Sequence, residues 1–318
     1  MGQTSSNTPQ KMGLPISNAK LGMWLFLGTE IMFFTAFIGS YIVLRIGSID
    51  ATGHSAWPSP EAVHISVTAG ATNTFVLLFS SFLVVMAHNA MGKKEFGKAR
   101  NFLVATFLCA CVFLGIKAFE YQGKFEHGIL PGQIAEDSKD AIEDTTLSLE
   151  TMMNKELDRL TTEGENPLEK KTLLQSEEQQ LLADAPDSPR LKEVQAILAL
   201  NVAYTELNEL RREEKLDLEL LRTKVAELKK NEQFGALLGS LRVHEPILYG
   251  NLFASTYFIM TGFHALHVII GMLLFAVVIC SSLKGWDEYV ENSGLYWHFV
   301  DLVWIFLFPL IYLIPASS

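Results

Sequence analysis

The sequence predicts an all-α, polytopic membrane protein with a polar helical insertion between its third and fourth spans. Two observations predict this. Five apolar runs are each close to or longer than the length that crosses a hydrocarbon core of about 30 Å. The charge is also segregated. The 318 residues carry 25 Lys and Arg against 35 Asp and Glu, a formal net charge of −10. Residues 131–247 hold 15 of the basic and 25 of the acidic residues, so the entire −10 belongs to that segment. The flanking parts are neutral and strongly apolar, as membrane and solvated parts differ.

The organisation follows in order: a tail over 1–20, three spans within 21–130, the acidic segment over 131–244, and two spans within 245–318. Residues 1–20 are polar, with Pro, Ser and Asn, and read as a cytoplasmic tail. The first apolar run is too long for the apolar region of a secretory signal. Gly2 with Ser6 matches a myristoylation pattern superficially, and one acyl chain adds little to a chain with several spans.

The runs are Leu21–Leu44, Thr68–Ala87, Phe102–Phe119, Leu252–Leu283 and Leu295–Ile314. Lys117 falls near the end of the third, where a long side chain is expected to snorkel to the interface. Gly39, Ser40, Gly70, Ala71, Gly262, Ala265 and Gly271 are small enough to allow close helix approach. Aromatics such as Trp24, Trp57, Tyr121, Trp286 and Tyr312 mark the span ends. Lys93, Lys94, Lys98 and Arg100 lie in the second connection, Lys284 in the fourth, and Lys11 and Lys20 in the tail. The positive-inside rule therefore puts the N-terminus in the cytoplasm, and the acidic segment and the C-terminus outside.

Within the acidic segment, positions 197, 200, 204, 207, 211, 214, 218, 221, 225 and 228 follow a 3-4 repeat. Eight of the ten are apolar; Arg211 and Glu214 are not. This predicts an amphipathic or coiled-coil helix over Ile197–Leu228. Breakers at Gly164–Pro167 and Ala185–Pro189 divide what precedes it. A helical hairpin that packs on itself or on a partner is the expected form, and a charged, partly disordered loop is the alternative.

Glu30 is the one charged residue in Leu21–Leu44. A carboxylate there is costly and is retained where it faces protein, a partner or a proton path. His264 and His267 are three apart in the fourth run, and His298 and Asp301 three apart in the fifth, so each pair shares a helix face. The second pair is expected to hydrogen-bond, and His264, His298 and Asp301 to make polar contacts between helices. Cys109, Cys111 and Cys280 lie in apolar runs and fit no disulfide or zinc pattern. No phosphate-cradling loop, metalloprotease motif or haem-attachment motif is present. The acidic polar segment speaks against nucleic acid as a partner.

Five stretches carry a resemblance. Span one, LGMWLFLGTEIMFFTAFIGSYIVLR, resembles the glutamate-bearing helix of subunit III of the haem–copper oxidases. TNTFVLLFSSFLVVMAHNAM resembles the next helix of that family, and FLGIKAFEYQGKF the end of the third. TGFHALHVIIG and YWHFVDLVWIFLFPLIYL resemble the family's most specific stretches. The resemblance covers residues 20–130 and 245–315, in order, and leaves the insertion outside the usual pattern.

The resemblance implies a bacterial five-helix form with a V-shaped lipid cleft, in an inner membrane. It implies an accessory subunit of a proton-pumping cytochrome c oxidase, binding no haem or copper itself. Those groups would lie in partner subunits, catalytic subunit I being the neighbour. Structural phospholipids are implied as its own ligands. Glu30 matches the family's carbodiimide-reactive carboxylate, tied to proton uptake. His267 and Lys284 match positions associated with lipid headgroups, with Ser281 where mitochondrial members have an arginine. His267 precedes Lys284 by 17 residues, about 25 Å on a straight helix, so the two cannot serve one headgroup. Alternatives are a subunit of a quinol oxidase or of a nitric-oxide-reductase-associated homologue, and a stand-alone haem cytochrome using His264, His267 and His298. The insertion's expected partner is a neighbouring respiratory complex, another oxidase subunit or a basic cytochrome.

Overall fold

A computed structural model describes residues 17–313. The Gly2–Ser6 pattern, most of the expected tail and Ile314 lie outside the described residues. Nine α-helices make up the described fold: α1 Asn18–Gly47, α2 Val67–Gly92, α3 Phe96–Glu126, α4 Ser138–Leu160, α5 Pro167–Asp184, α6 Pro189–Arg212, α7 Leu218–Lys230, α8 Gly250–Cys280 and α9 Asp287–Phe308. A π-helical turn, Pro309–Leu313, continues α9. The described residues contain no strand. The chain divides into two compact units, Met1–Leu130 with Leu252–Ser318, and Pro131–Asn251.

In the first unit, α1, α2, α3, α8 and α9 with its π turn are long and apolar enough to cross a membrane. Most outrun the apolar stretches that announce them, because polar caps extend a helix past its apolar run. Ser17 and Ser66 accept hydrogen bonds from Lys20 N–H and Ala69 N–H at the starts of α1 and α2. Two of the expected glycine contacts are present. A Cβ on Gly70 would lie 2.7 Å from the Tyr312 ring, and one on Gly271 would lie 2.7 Å from the Trp297 ring. Gly39 has open space instead, because α1 is the most peripheral helix and buries only Phe34 and Tyr41.

The helix ends gather into two sets. At one end Lys20 pairs with Glu291 and Ser17 donates to Glu288, which ties the start of α1 to the start of α9. Arg100 at the start of α3 donates to the Ser281 carbonyl, past the end of α8, at 2.6 Å. At the other end Lys124 of α3 donates to the Val63 carbonyl, just before α2, at 2.9 Å. Trp57, between α1 and α2, donates to Tyr41 Oη at 3.2 Å.

The second unit is four-helical. Leu149, Met153 and Leu157 of α4, Leu174 of α5, Ile197 and Leu200 of α6, and Leu221 and Val225 of α7 share one apolar core. Asn251 clamps the two chain ends of the unit: its Oδ1 accepts from Gly132 N–H and Ile134 N–H at 2.8 and 3.0 Å, and its Nδ2 donates to the Ile134 carbonyl at 2.8 Å. The single helix expected over Ile197–Leu228 is two. It breaks after Arg212, Glu214 takes a left-handed backbone with φ 56°, and Asp217 caps α7 by accepting from Leu220 N–H at 2.7 Å. The break falls beside the two polar positions of the repeat, Arg211 and Glu214. The apolar register resumes in phase after the loop, so the periodicity alone does not reveal it.

Candidate functional site

Glu30 lies 12 residues into α1, roughly 18 Å along it at 1.5 Å per residue. The helix turns it toward α8. Glu30 Oε2 lies 3.1 Å from His267 Nε2, with side-chain exposures of 20% and 9%. His267 Nδ1 lies 2.7 Å from the Phe263 carbonyl, one turn back on α8. A carbonyl only accepts, so Nδ1 carries a proton. The contact between Nε2 and Oε2 then holds one further proton, either on the carboxyl or on the imidazole. Phe34 and Phe299 pack against the imidazole edges at 5.2 and 6.2 Å, and Tyr296 stacks on it at 6.3 Å.

His267 thus engages both ring nitrogens inside the bundle, with the Phe263 carbonyl and the Glu30 carboxyl group. Lys284 sits at the opposite extreme, exposed in the connection after α8.

His264, one turn before His267, faces elsewhere. It is 1% exposed and lies 5.6 Å from the Phe113 ring and 5.0 Å from the Trp304 ring. Neither of its nitrogens has a protein partner within hydrogen-bonding distance, so the expected polar contact is an aromatic one. His298 Nδ1 lies 2.7 Å from Ser81 Oγ on α2. It makes its polar contact across helices, and Asp301 Oδ1 has no protein partner. Ser81 of α2 hydrogen-bonds both His298 and Asp301, so the two α9 side chains meet through one hydroxyl. Trp297 and Trp304 add parallel links, donating to Ser80 Oγ and Thr74 Oγ1 at 3.0 Å each.

A second buried polar cluster holds Lys117, and it corrects the snorkelling expectation. Lys117 Nζ donates to Glu120 Oε2 at 3.1 Å, to Tyr257 Oη at 2.9 Å and to Tyr312 Oη at 2.9 Å. Both tyrosines donate onward to Glu120 Oε1, at 2.7 and 2.8 Å. All three ammonium protons are used, and the carboxylate receives three donors. The ring ties α3 to α8 and to the π turn after α9. Its sequence signal is a Lys and a Glu three apart at the end of the apolar run Phe102–Phe119, which places both on one face.

Among the described residues, no group of three or more His, Cys, Asp or Glu side chains is arranged to hold a metal. The two polar clusters offer proton and hydrogen-bond chemistry between helices.

The sequence matches the family model described as cytochrome c oxidase subunit III over residues 11–126 and 247–315, more than half of the chain. This chain belongs to the cytochrome c oxidase subunit III family. It is 41% identical over 91 residues to cytochrome c oxidase subunit 3 of Thermostichus vulcanus, a match covering 25% of this chain and 45% of that one. It is 49% identical over 71 residues to the Synechocystis protein of the same name, covering 20% and 30%. With the pig protein of that name the identity is 46% over 66 residues, covering 19% and 25%. The chain spans less than half the length of the curated relatives it matches. The family match stops at residue 126 and resumes at 247, so α4–α7 lie outside it. Glu30, His267, Lys117 and Glu120 all lie inside it.

Proposed function

We propose that this member of the subunit III family is a non-catalytic accessory subunit of a proton-pumping cytochrome c oxidase, packed against catalytic subunit I. In this reading it stabilises that subunit, holds phospholipid and sustains proton uptake, while haem and copper reside in its partners. The observation that carries the reading is the Glu30–His267 contact. It is a proton-sharing pair set between two spans of a family member, and α1, which bears the carboxylate, is the most open helix of the bundle. The pair supplies a protonatable group inside the hydrocarbon region without any redox partner. The haem-cytochrome alternative needs histidines that converge on one ligand, whereas His264, His267 and His298 turn to different neighbours.

The orientation proposed is N-terminus inside a bacterial inner membrane. It rests on the basic residues: Lys20, Arg100 and Lys284 belong to one end of the bundle, where positive charge marks the cytoplasmic side. Lys284 is then exposed on the side where a cation meets a phospholipid phosphate. The insertion falls outside, on the face where soluble electron donors dock.

The test is the intact oxidase carrying Glu30→Gln. Haem content and initial electron transfer should match the parent, while proton uptake slows and the enzyme inactivates after fewer turnovers. Loss of haem from the variant, or an unchanged turnover lifetime together with unchanged proton uptake, would overturn the reading.

A further inference from the structure

The functional reading leaves His264 and Asn73 without a part, and both carry an unmet demand. His264 of α8 is 1% exposed and Asn73 of α2 is fully buried. Neither ring nitrogen of His264 and neither amide atom of Asn73 has a protein partner. Four polar atoms are thus buried without a hydrogen bond, whereas the large majority of buried side-chain polar atoms in folded proteins have one. A neutral imidazole offers one donor and one acceptor, and a primary amide offers two donors and an acceptor. Phe113 meets the imidazole edge to face at 5.6 Å and can take one N–H weakly. That leaves the imidazole lone pair and the whole Asn73 amide unserved.

Their surroundings place both beside the two polar clusters. The Trp304 ring packs on the His264 ring at 5.0 Å, and its indole N–H donates to Thr74, the residue after Asn73. Gly70, one turn before Asn73 on the buried stripe of α2, abuts Tyr312, a member of the Lys117–Glu120 ring. On α8, Tyr257, Thr261, His264 and His267 are all buried. They follow at steps of four, three and three, so they share one side of the helix over about 15 Å. Tyr257 donates to Glu120 at 2.7 Å, Thr261 Oγ1 lies 2.6 Å from Tyr121 Oη, and His267 meets Glu30 at 3.1 Å. His264 is the member of this row whose side chain makes no hydrogen bond to protein.

We propose that His264 and Asn73 bind ordered water inside the bundle, and that this water closes the row along α8 into one proton-exchanging column from the Lys117–Glu120 ring to the Glu30–His267 pair. Water is the ligand this chemistry selects. It donates and accepts at once, so it serves an imidazole and an amide that each need both, and buried water characteristically bonds about three otherwise unsatisfied groups. Among the described residues, no group of three or more His, Cys, Asp or Glu side chains gathers there to hold a metal instead. The column gives the Glu30–His267 contact a route for protons through the protein. Water on one side hands a proton to one His264 ring nitrogen while the other nitrogen releases one to water on the far side. The imidazole is left neutral, in the opposite tautomer. Asn73 positions the water and exchanges no proton in this step.

The experiment places the full chain, its histidines isotope-labelled, in phosphatidylcholine bilayers and uses solid-state nuclear magnetic resonance to transfer magnetisation from water to the ring nitrogens. The parent should show transfer to His264 and to His267. His264→Phe keeps an aromatic ring against Phe113 and Trp304 and removes both nitrogens, so transfer to His267 should fall at least about threefold. His264→Gln keeps a donor and an acceptor and should retain most of it. Melting in detergent gives a second readout, because a hydrated imidazole and a bare one predict opposite signs. Phenylalanine in place of a bare imidazole removes two unsatisfied groups and raises the melting temperature. In place of a hydrated one it should lower it by roughly 2–4 °C, the scale of one hydrogen bond in a large chain. Asn73→Leu should lower it likewise and cut the transfer to His264. The proposal fails if His264 receives no magnetisation from water, if His267 keeps the parent's transfer in His264→Phe, or if His264→Phe melts at or above the parent. It also fails if His264→Gln loses the transfer as His264→Phe does.

Discussion

Glu30 and His267 meet at 3.1 Å between α1 and α8, and the Phe263 carbonyl decides how they meet. By occupying Nδ1–H it leaves Nε2 to face the carboxyl group with a single proton between them. Glutamine at position 30 can still donate an amide N–H to Nε2, whereas leucine leaves that nitrogen without a partner inside the bundle. Glu30→Gln should therefore hold the thermal stability of the full chain near the parent. Glu30→Leu should lower it by about 1–3 kcal/mol, the cost of an unsatisfied buried group. Carbodiimide labelling should vanish in both. Melting curves in detergent and mass spectrometry of the labelled chain check the two halves separately. Equal stability of the two variants would mean that the contact is not made.

The Lys117–Glu120 ring behaves differently, because it holds a full charge pair at side-chain exposures of 4% and 5%. Glu120→Gln strands an ammonium in the bundle and should cost about 3–5 kcal/mol. Adding Lys117→Met removes that stranded charge and leaves Tyr257 and Tyr312 to bond each other. The double variant should recover at least half of the loss. A double-mutant cycle on melting free energies measures this, and strict additivity of the two changes would show that the pair is not coupled.

The membrane helices were legible because a span is written in one local variable, a long apolar run, which no alternative structure uses in lipid. Glu30 was legible for the same reason, as a violation of the run. Its partner was not: which histidine on α8 reaches α1 depends on helix rotation, and His264 and His267 differ by only three positions. The Lys117–Glu120 ring carried a signal that the apolar context disguised, since a lysine near a span end more commonly snorkels. In the insertion, the 3-4 repeat found the buried faces of α6 and α7 and missed the break at Glu214, because the loop preserves the repeat's phase.

Tyr204 gives the insertion a measurable alkaline response. Its hydroxyl donates to Glu150 Oε2 at 2.8 Å, linking α6 to α4. Partial burial first, and the nearby Glu150 carboxylate second, push its pKa up to about 12 from the ordinary 10.0. Below the ordinary value both folded and unfolded chains keep the phenolic proton, and the linkage is silent. As pH rises from about 10 to about 12 the unfolded chain releases that proton while the folded one retains it, so this contribution to stability is lost. Ultraviolet phenolate titration of the parent minus Tyr204→Phe should show one late-ionising tyrosine. Tyr204→Phe should also flatten the fall in stability across that window. A difference spectrum that ionises near the ordinary value would remove the Glu150 link from the account.

The insertion's apolar seam, with eight apolar positions in ten, needs burial either on a partner or within the unit itself. The four-helix unit meets that need internally: Ile197, Leu200, Leu207, Leu221 and Val225 are all buried in its own core. What the unit presents outward is its charge, the whole formal −10 of the chain, and its side-chain ion pairs, such as Arg190–Glu177 at 2.7 Å, use only part of the acidic excess. Charge of one sign acts on a soluble partner of the other sign through a field that salt screens over about 8 Å at physiological ionic strength. Replacing residues 136–240 with a short linker in the intact oxidase should therefore leave its subunit composition unchanged. Oxidation of a basic cytochrome should slow at low salt and lose much of its salt dependence, with rates converging on the parent's at high salt. Steady-state oxidation across a salt series, alongside a gel of the purified assembly, separates the outcomes. A missing subunit with an unaltered salt profile would restore the external grip. An intact assembly whose salt profile matches the parent's would leave neither role standing.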